Sequence, residues 1–148
     1  MERLLNVLII EDEKPAVRRM VQLIGEIAPE MTIQATLDSV TTAVDWLKKN
    51  PAPDLIFADI QLADGISFEI FTQVAVQSPV IFTTAYNQYT LRAFKLNSID
   101  YLLKPIDPEE LKSSIEKFKR LRAPVDTFQL QKIIQQLQPQ SYKEPFLI

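Results

Sequence analysis

The chain has 148 residues, 47% of them hydrophobic, and a formal net charge of -3 at pH 7, which suits one globular domain with a short appendage and gives no sign of a nucleic-acid-binding surface. It contains no cysteine, no histidine and only two glycines, which excludes disulfides, thiolate or imidazole metal sites, Ser-His-Asp catalysis and glycine-rich nucleotide-binding loops. No signal peptide opens the chain and no apolar stretch approaches the length of a membrane span, so we expect a cytoplasmic protein that does not bind membranes.

The predicted elements alternate between strand and helix along the first 122 residues. Apolar residues spaced by three and four predict helices within 17–27, 40–47 and 111–118. The last of these has a start signal, because Asp107 can cap it and Pro108 fits its first turn. Apolar runs predict five strands, at residues 4–10, 31–37, 55–60, 80–84 and 99–103.

The polarity of these strands indicates their order in a sheet. The first, third and fourth runs are almost continuously apolar, as expected for strands buried on both faces. Run 31–37 alternates between apolar and polar residues, and run 99–103 contains Asp100, so each suits an edge of the sheet. We predict a doubly wound α/β fold with a parallel sheet in the order 2-1-3-4-5, which places these two runs at its edges; periodicity alone does not select this order but agrees with it.

The C-terminal segment differs in composition from this domain, which we place at residues 1–122. Ala123-Pro124 breaks the chain, and residues 128–138 are glutamine-rich with one apolar helical stripe. Residues 123–148 are therefore expected to form a linker with an amphipathic helix. The apolar residues 146–148 suggest the start of a strand whose partners are missing, so we expect the linker to lead into a truncated C-terminal domain.

Acidic residues follow two strands that are neighbours in the predicted order. Glu11 and Asp12 follow the first strand, and Asp59 lies at the end of the third. In an open parallel sheet, ligands bind beyond the carboxyl ends of the strands where the order reverses, which brings these three residues together. Crowded carboxylates take up a proton or a cation, and an all-oxygen ligand set suits Mg²⁺. The alternative is that they are solvated loop acids that cap the next helix.

Thr84 and Lys104 lie at the ends of the fourth and fifth strands and complete the set. An ammonium, a hydroxyl and backbone N–H groups around an acidic Mg²⁺ centre suit the transfer of a phosphoryl group. Without histidine or cysteine, a carboxylate must be the nucleophile, and the central Asp59 is the candidate phosphoacceptor. A simple salt bridge remains the alternative for Lys104. The sequence Asp64-Gly65 follows, and Gly65 would allow a positive φ in that loop.

These ordered landmarks at strand ends resemble the receiver domain of bacterial two-component response regulators, over roughly residues 4–121. The run 93–105 resembles the LytTR-type (LytR/AlgR-like) branch, whose receivers precede a DNA-binding domain, and residues 142–144 are similar to the opening of that second domain. The resemblance implies a flavodoxin-like fold. Its landmarks are Glu11-Asp12, Asp59, Thr84-Ala85 and Lys104-Pro105.

The resemblance implies a role for each residue of the site. Mg²⁺ would be held by three carboxylates and one main-chain carbonyl, those of Glu11, Asp12, Asp59 and Gln61. Asp59 would accept a phosphoryl group from a sensor histidine kinase or a small acyl phosphate. The phosphoryl oxygens would be bound by the Thr84 hydroxyl, the Ala85 N–H and the Lys104 ammonium. The Lys104–Pro105 peptide bond is expected to be cis.

The resemblance also implies a signalling role, so we expect no turnover enzyme but a phosphoacceptor that assists its own phosphorylation and dephosphorylation. Thr84 and Tyr101 would form the switch pair, although a half-buried edge-strand tyrosine is an equally good reading of Tyr101. The switch would remodel the face of the fourth helix, fifth strand and fifth helix, through which we expect a homodimer. DNA binding and control of transcription would belong to the missing C-terminal domain.

Three other functions share parts of this pattern. A non-phosphorylated interaction module would have the same fold with a degenerate site, but here the acidic set is intact. A flavodoxin-like electron carrier needs a hydroxyl- and glycine-rich loop after the first strand, whereas residues 11–13 are all acidic and would repel the flavin phosphate. An aspartate-dependent phosphatase would need a substrate cap, for which the chain leaves little room.

Overall fold

The structure is a computed structural model in which residues 4–85 and 98–122 are described. The chain divides into two compact units, Met1–Phe118 and Lys119–Ile148, and the strands of the described residues lie in the first. The linker predicted at 123–148 lies outside the described residues, as does the predicted fourth helix between the fourth and fifth strands. None of the helices in the described part has the length and apolar character that crossing a bilayer requires.

Seven strands and four helices lie in the described residues. The strands are β1 (Leu5–Ile10), β2 (Met31–Leu37), β3 (Leu55–Asp59), the short β4 (Gln61–Leu62) and β5 (Gly65–Ile66), β6 (Val80–Thr84) and β7 (Asp100–Leu103). The helices are α1 (Lys14–Ile27), α2 (Val40–Lys49), α3 (Ile70–Gln73), which follows a 3-10 turn at Ser67–Glu69, and α4 (Pro108–Arg122).

Five strands form a parallel sheet in the order β2-β1-β3-β6-β7. Since β6 and β7 are the predicted fourth and fifth strands, the predicted order 2-1-3-4-5 and the flavodoxin-like doubly wound fold are confirmed. Burial explains the polarity of the strands. Every residue of β3 and β6 is buried, whereas burial alternates with exposure along the edge strand β2.

Two apolar layers cover the sheet. On one face, alternate strand residues such as Ile9 and Phe57 pack with the buried stripes of α1 and α4. On the other face, their neighbours such as Ile10 and Ala58 pack with α2 and the 3-10 turn and helix α3. Because strand side chains alternate between faces, each central strand supplies both layers. The sheet is thus covered by apolar side chains on both faces.

A short hairpin directly after β3 was not predicted from the sequence. Strand β4 pairs antiparallel with β5, with Gln61 opposite Ile66 and Leu62 opposite Gly65. Gly65 has a φ of +149°, the region that the sequence indicated for this glycine and that other residues rarely adopt. The hairpin therefore turns the chain sharply just beyond Asp59.

Candidate functional site

Three carboxylates meet at the tips of β1 and β3. The two strands are adjacent and parallel, with Ile10 opposite Ala58, so the residues that follow each tip are neighbours. One carboxylate oxygen from each of Glu11, Asp12 and Asp59 lies within 4.8 Å of the others. The structure therefore brings these three acids together, as the sequence predicted.

Lys104 lies between two of these acids. Its Nζ is 2.7 Å from Glu11 Oε1 and 3.1 Å from Asp59 Oδ2, and it is 3.8 Å from Glu13 Oε1. The position of the lysine is fixed by β7, because the Lys104 N–H donates to the Thr84 carbonyl at 2.7 Å and extends the pairing of β6 with β7. The next peptide bond, Lys104–Pro105, is cis. An ammonium thus faces the candidate phosphoacceptor directly.

A small cavity of about 190 Å³ brings together most of the remaining predicted residues. Its lining consists of Asp12, Glu13, Asp59, Gln61, Thr84, Ala85 and Lys104. Thr84 is buried at the end of β6, whereas Ala85 is exposed. Carboxylates, a hydroxyl, a backbone turn and an ammonium therefore face one space, which is the arrangement that a phosphoryl group and a hard cation require.

Burial governs the charges of the acids. Glu11 and Asp59 are each only 7% exposed. Burial raises the pKa of Glu11 to about 7, although its hydrogen bond with Lys104 opposes the change. Burial likewise raises the pKa of Asp59, and the charge of Lys104 opposes it. One ammonium does not compensate these carboxylates, so the site favours the uptake of protons or of a cation.

The lysine keeps its charge in this setting. Burial alone would lower the pKa of Lys104, but the hydrogen bond with Glu11 and the charge of Asp59 outweigh it, and the net direction is upward. Lys104 is therefore a cation at neutral pH. Its contact with the acids is the salt bridge that the sequence left open as an alternative.

The donor set of the site fits a divalent cation such as Mg²⁺. All the available donors are oxygens, three of them carboxylates, and Mg²⁺ is held by one or a few carboxylates with waters in its remaining positions. Glu11, Asp12 and Asp59 therefore form an acidic pocket that can bind a metal.

Tyr101 does not line the cavity. It is half-buried on β7, and its side chain packs against the apolar layer that contains α2 and α3. Of the predicted switch face, β7 and α4 are described, whereas the predicted fourth helix, within residues 86–97, lies outside the described residues. The half-buried edge-strand position is thus observed for Tyr101.

Two residues gained roles that the sequence did not assign. Glu13 approaches Lys104, and Asp64 contacts the start of α2. For Asp64 the available signal was an aspartate at the turn of a loop, a residue that often accepts hydrogen bonds from backbone N–H groups. Its partners Val40 and Thr41 lie 24 and 23 residues earlier in the chain, so no local pattern identifies them.

Known proteins resemble this chain over the whole described domain. The profile of the family described as response regulator receiver domain matches residues 7–116. The chain belongs to this family. Among curated relatives of the receiver, the sensory transduction protein LytT of Bacillus anthracis is 38% identical over 120 residues, which are 79% of this chain and 48% of that protein. LytT of Enterococcus faecalis is 37% identical over 116 residues, 76% and 47% of the two chains.

Solved structures agree with this assignment. The response regulatory domain of MrkE from Klebsiella pneumoniae superimposes on the receiver with a TM-score of 0.69 at 28% identity, covering 78% of this chain and 96% of that one. The LytT relatives confirm the LytTR-type branch that residues 93–105 predicted. The receiver spans about half the length of the curated relatives it matches.

Proposed function

We propose that this receiver takes a phosphoryl group on Asp59 from the phosphohistidine of a sensor histidine kinase, in a reaction that depends on Mg²⁺. The observation that carries the proposal is the position of Asp59, whose carboxylate faces Lys104 at 3.1 Å within the acidic pocket. One oxygen of Asp59 attacks phosphorus. A P–O bond forms while the P–N bond breaks, and the electron pair leaves with the imidazole nitrogen.

Each residue of the pocket supports this transfer. The proposed metal ligands are Glu11, Asp12, Asp59 and the main-chain carbonyl of Gln61. When bound, the cation neutralises charge on the transferred phosphoryl oxygens. Lys104, already within 3.1 Å of Asp59, would pair with the same oxygens. Thr84 and Ala85 line the same cavity, and the Thr84 hydroxyl and the Ala85 N–H would donate to these oxygens.

Phosphorylation would then act as a switch and not as a step of substrate turnover. It adds negative charge and acceptor oxygens at Asp59, and we expect Thr84 to move toward them. That movement would leave room for the Tyr101 side chain to turn inward. The turn would remodel the face formed by the predicted fourth helix, strand β7 and helix α4. We propose that this face forms a homodimer in the cytoplasm. Control of transcription through an attached DNA-binding domain is proposed from the resemblance to the LytTR-type branch, and the LytT relatives do extend beyond the matched segment, which is about half of their length.

Intact-mass measurement after incubation with acetyl phosphate tests the proposal. We expect the protein to gain the mass of one phosphoryl group when Mg²⁺ is present, and to gain none with a chelator. Asp59→Asn should abolish labelling because it removes the nucleophile. The control Asp45→Asn changes an exposed helical carboxylate and should label like the wild type. Undiminished labelling of Asp59→Asn would refute the assignment, and an unlabelled wild type would favour a non-phosphorylated module.

A further inference from the structure

The loop after the phosphoacceptor is held in a defined shape. Gln61 and Leu62 pair with Ile66 and Gly65 in a hairpin, and the Ser67 N–H donates to the Ile60 carbonyl at 2.7 Å. Gln61, the proposed main-chain ligand of the cation, lies in the first strand of this hairpin. However, a hairpin of two residues on each side is not stable by itself, so another contact must fix it.

Asp64 provides such a contact at the turn of the hairpin. Its Oδ1 accepts from the Val40 N–H at 2.8 Å, and its Oδ2 accepts from the Thr41 N–H at 3.1 Å and from the Thr41 hydroxyl at 3.0 Å. Val40 and Thr41 are the first two residues of α2, where backbone N–H groups have no partner within the helix. These bonds lower the pKa of Asp64, so it is ionised at neutral pH and accepts all three.

The start of α2 has a second, independent cap. The Ser39 Oγ accepts from the Thr42 N–H at 3.0 Å. Ser39 lies just before the helix, and its bond with Thr42 involves no residue of the hairpin. Asp64 therefore does more than cap the helix, because its three bonds also join the hairpin to α2.

Gly65 shows how closely the hairpin approaches α2. A Cβ at Gly65 would lie 3.7 Å from Val40 Cγ2 and 3.2 Å from Glu69 Oε1. The hairpin is thus packed against the first residue of the helix and is tied to it by the side chain of Asp64. The helix itself is anchored in the core through Val40, Ala43, Val44 and Leu47.

We propose that Asp64 is a positioning residue for the cation site, because it ties the strand that carries Gln61 to the anchored helix α2. This rests on the proposed function, in which the Gln61 carbonyl is a metal ligand. Groups that orient a metal ligand without touching the metal typically change metal affinity by 10- to 100-fold. Because Asp64 would act indirectly, through the backbone of the hairpin, we expect an effect at the low end, about tenfold.

The test is an NMR titration of the full chain with MgCl₂, following backbone amides near Asp59. Asp64→Ala should weaken Mg²⁺ binding about tenfold. Ser39→Ala is the matched control, since it removes a cap from the same helix end but leaves the hairpin tied, and it should bind Mg²⁺ like the wild type. Asp64→Asn keeps one acceptor oxygen and should be intermediate, as should Thr41→Val, which loses only the hydroxyl bond.

Urea unfolding of the same variants separates positioning from general destabilisation. If the affinity for Mg²⁺ fell equally in Asp64→Ala and Ser39→Ala, or stayed at the wild-type value in Asp64→Ala, the inference would be wrong. If Asp64→Ala does not fold, Asp64→Asn and Thr41→Val take its place. The inference then holds if both bind Mg²⁺ more weakly than Ser39→Ala, and it is wrong if all three bind equally well. A wild type that binds no Mg²⁺ would overturn the proposed function itself, which distinguishes the two failures.

Discussion

At the scale of single residues, the site is a balance between burial and one ammonium. Removing Glu11 and Asp59 from water favours their neutral forms, and Lys104 favours their charged forms. The upward pKa directions of both acids show that burial prevails. Lys104 thus stabilises the buried pair of carboxylates, and its removal should lower the free energy of unfolding most when both carboxylates are ionised.

Lys104→Ala should lower the free energy of unfolding more at pH 8 than at pH 5. At pH 8 the loss leaves two buried carboxylates without their cation, for which we expect about 1–3 kcal/mol. At pH 5 Glu11, with a pKa of about 7, is mostly protonated and depends less on the lysine. Urea unfolding at the two pH values measures the difference.

Lys49→Ala is the control for this prediction. Lys49 pairs with Asp45 at 3.1 Å, but the two side chains are 70% and 62% exposed, and exposed pairs contribute about 0.2–1 kcal/mol. Its effect should be small at both pH values. An equal loss for Lys104→Ala at pH 5 and pH 8 would contradict the proposed balance of charges.

At the scale of secondary-structure elements, a part-buried hydrogen bond joins α4 to β7. The Ser114 hydroxyl donates to Asp100 Oδ2 at 2.6 Å, while Asp100 Oδ1 accepts from the Tyr101 N–H at 2.8 Å. Ser114 is fully buried. Asp100 was interpreted from the sequence as a mark of an edge strand, and it lies on the edge strand β7 where it also fixes the helix that covers the sheet.

Ser114→Ala should destabilise the receiver by about 1–3 kcal/mol, because it leaves a partly buried carboxylate oxygen without this donor. The neighbouring Ser113 is exposed on the same helix, so Ser113→Ala should change stability by less than about 0.5 kcal/mol. Thermal and urea unfolding of the two variants measure the difference. Equal stabilities would show that the bond with Asp100 contributes nothing net to folding.

The elements also show what a sequence can and cannot predict here. Strands β3 and β6 were predicted closely because burial on both faces requires an unbroken apolar run. The polar residues of β2 and β7 agreed with the predicted order, although they did not select it. The convergence of Glu11, Asp12 and Asp59 followed from that order. The hairpin at Gln61–Leu62 and Gly65–Ile66 was missed, because strands of two residues have no measurable periodicity. The bonds from Asp64 to α2 were missed because only the tertiary fold brings those residues together.

At the scale of the whole molecule, the acidic pocket makes stability depend on pH. A carboxyl whose pKa is raised by folding stabilises the folded state fully below its unfolded pKa, and this contribution is lost as pH rises through the folded pKa. For Glu11 this window runs from its usual 4.5 to about 7, and the upward shift of Asp59 adds in the same direction. The pKa of Asp64 is shifted downward from 3.8, so its contribution changes below this window.

We therefore expect the free energy of unfolding of the metal-free protein to fall as pH rises from 4.5 to 7. Mg²⁺ should raise the free energy of unfolding, because a ligand stabilises the state that binds it. The increase should be larger at pH 8 than at pH 5.5, because protons on Glu11 compete with the cation at the lower pH. Urea unfolding across this range, with MgCl₂ and with a chelator, measures both effects. Glu11→Gln should flatten the fall, since its amide does not titrate. Two results would contradict this expectation: a free energy of unfolding that rises from pH 4.5 to 7 without metal, or an effect of Mg²⁺ that is equal at both pH values. Either would mean that Glu11 is already ionised and that the acids are not crowded enough to require a cation.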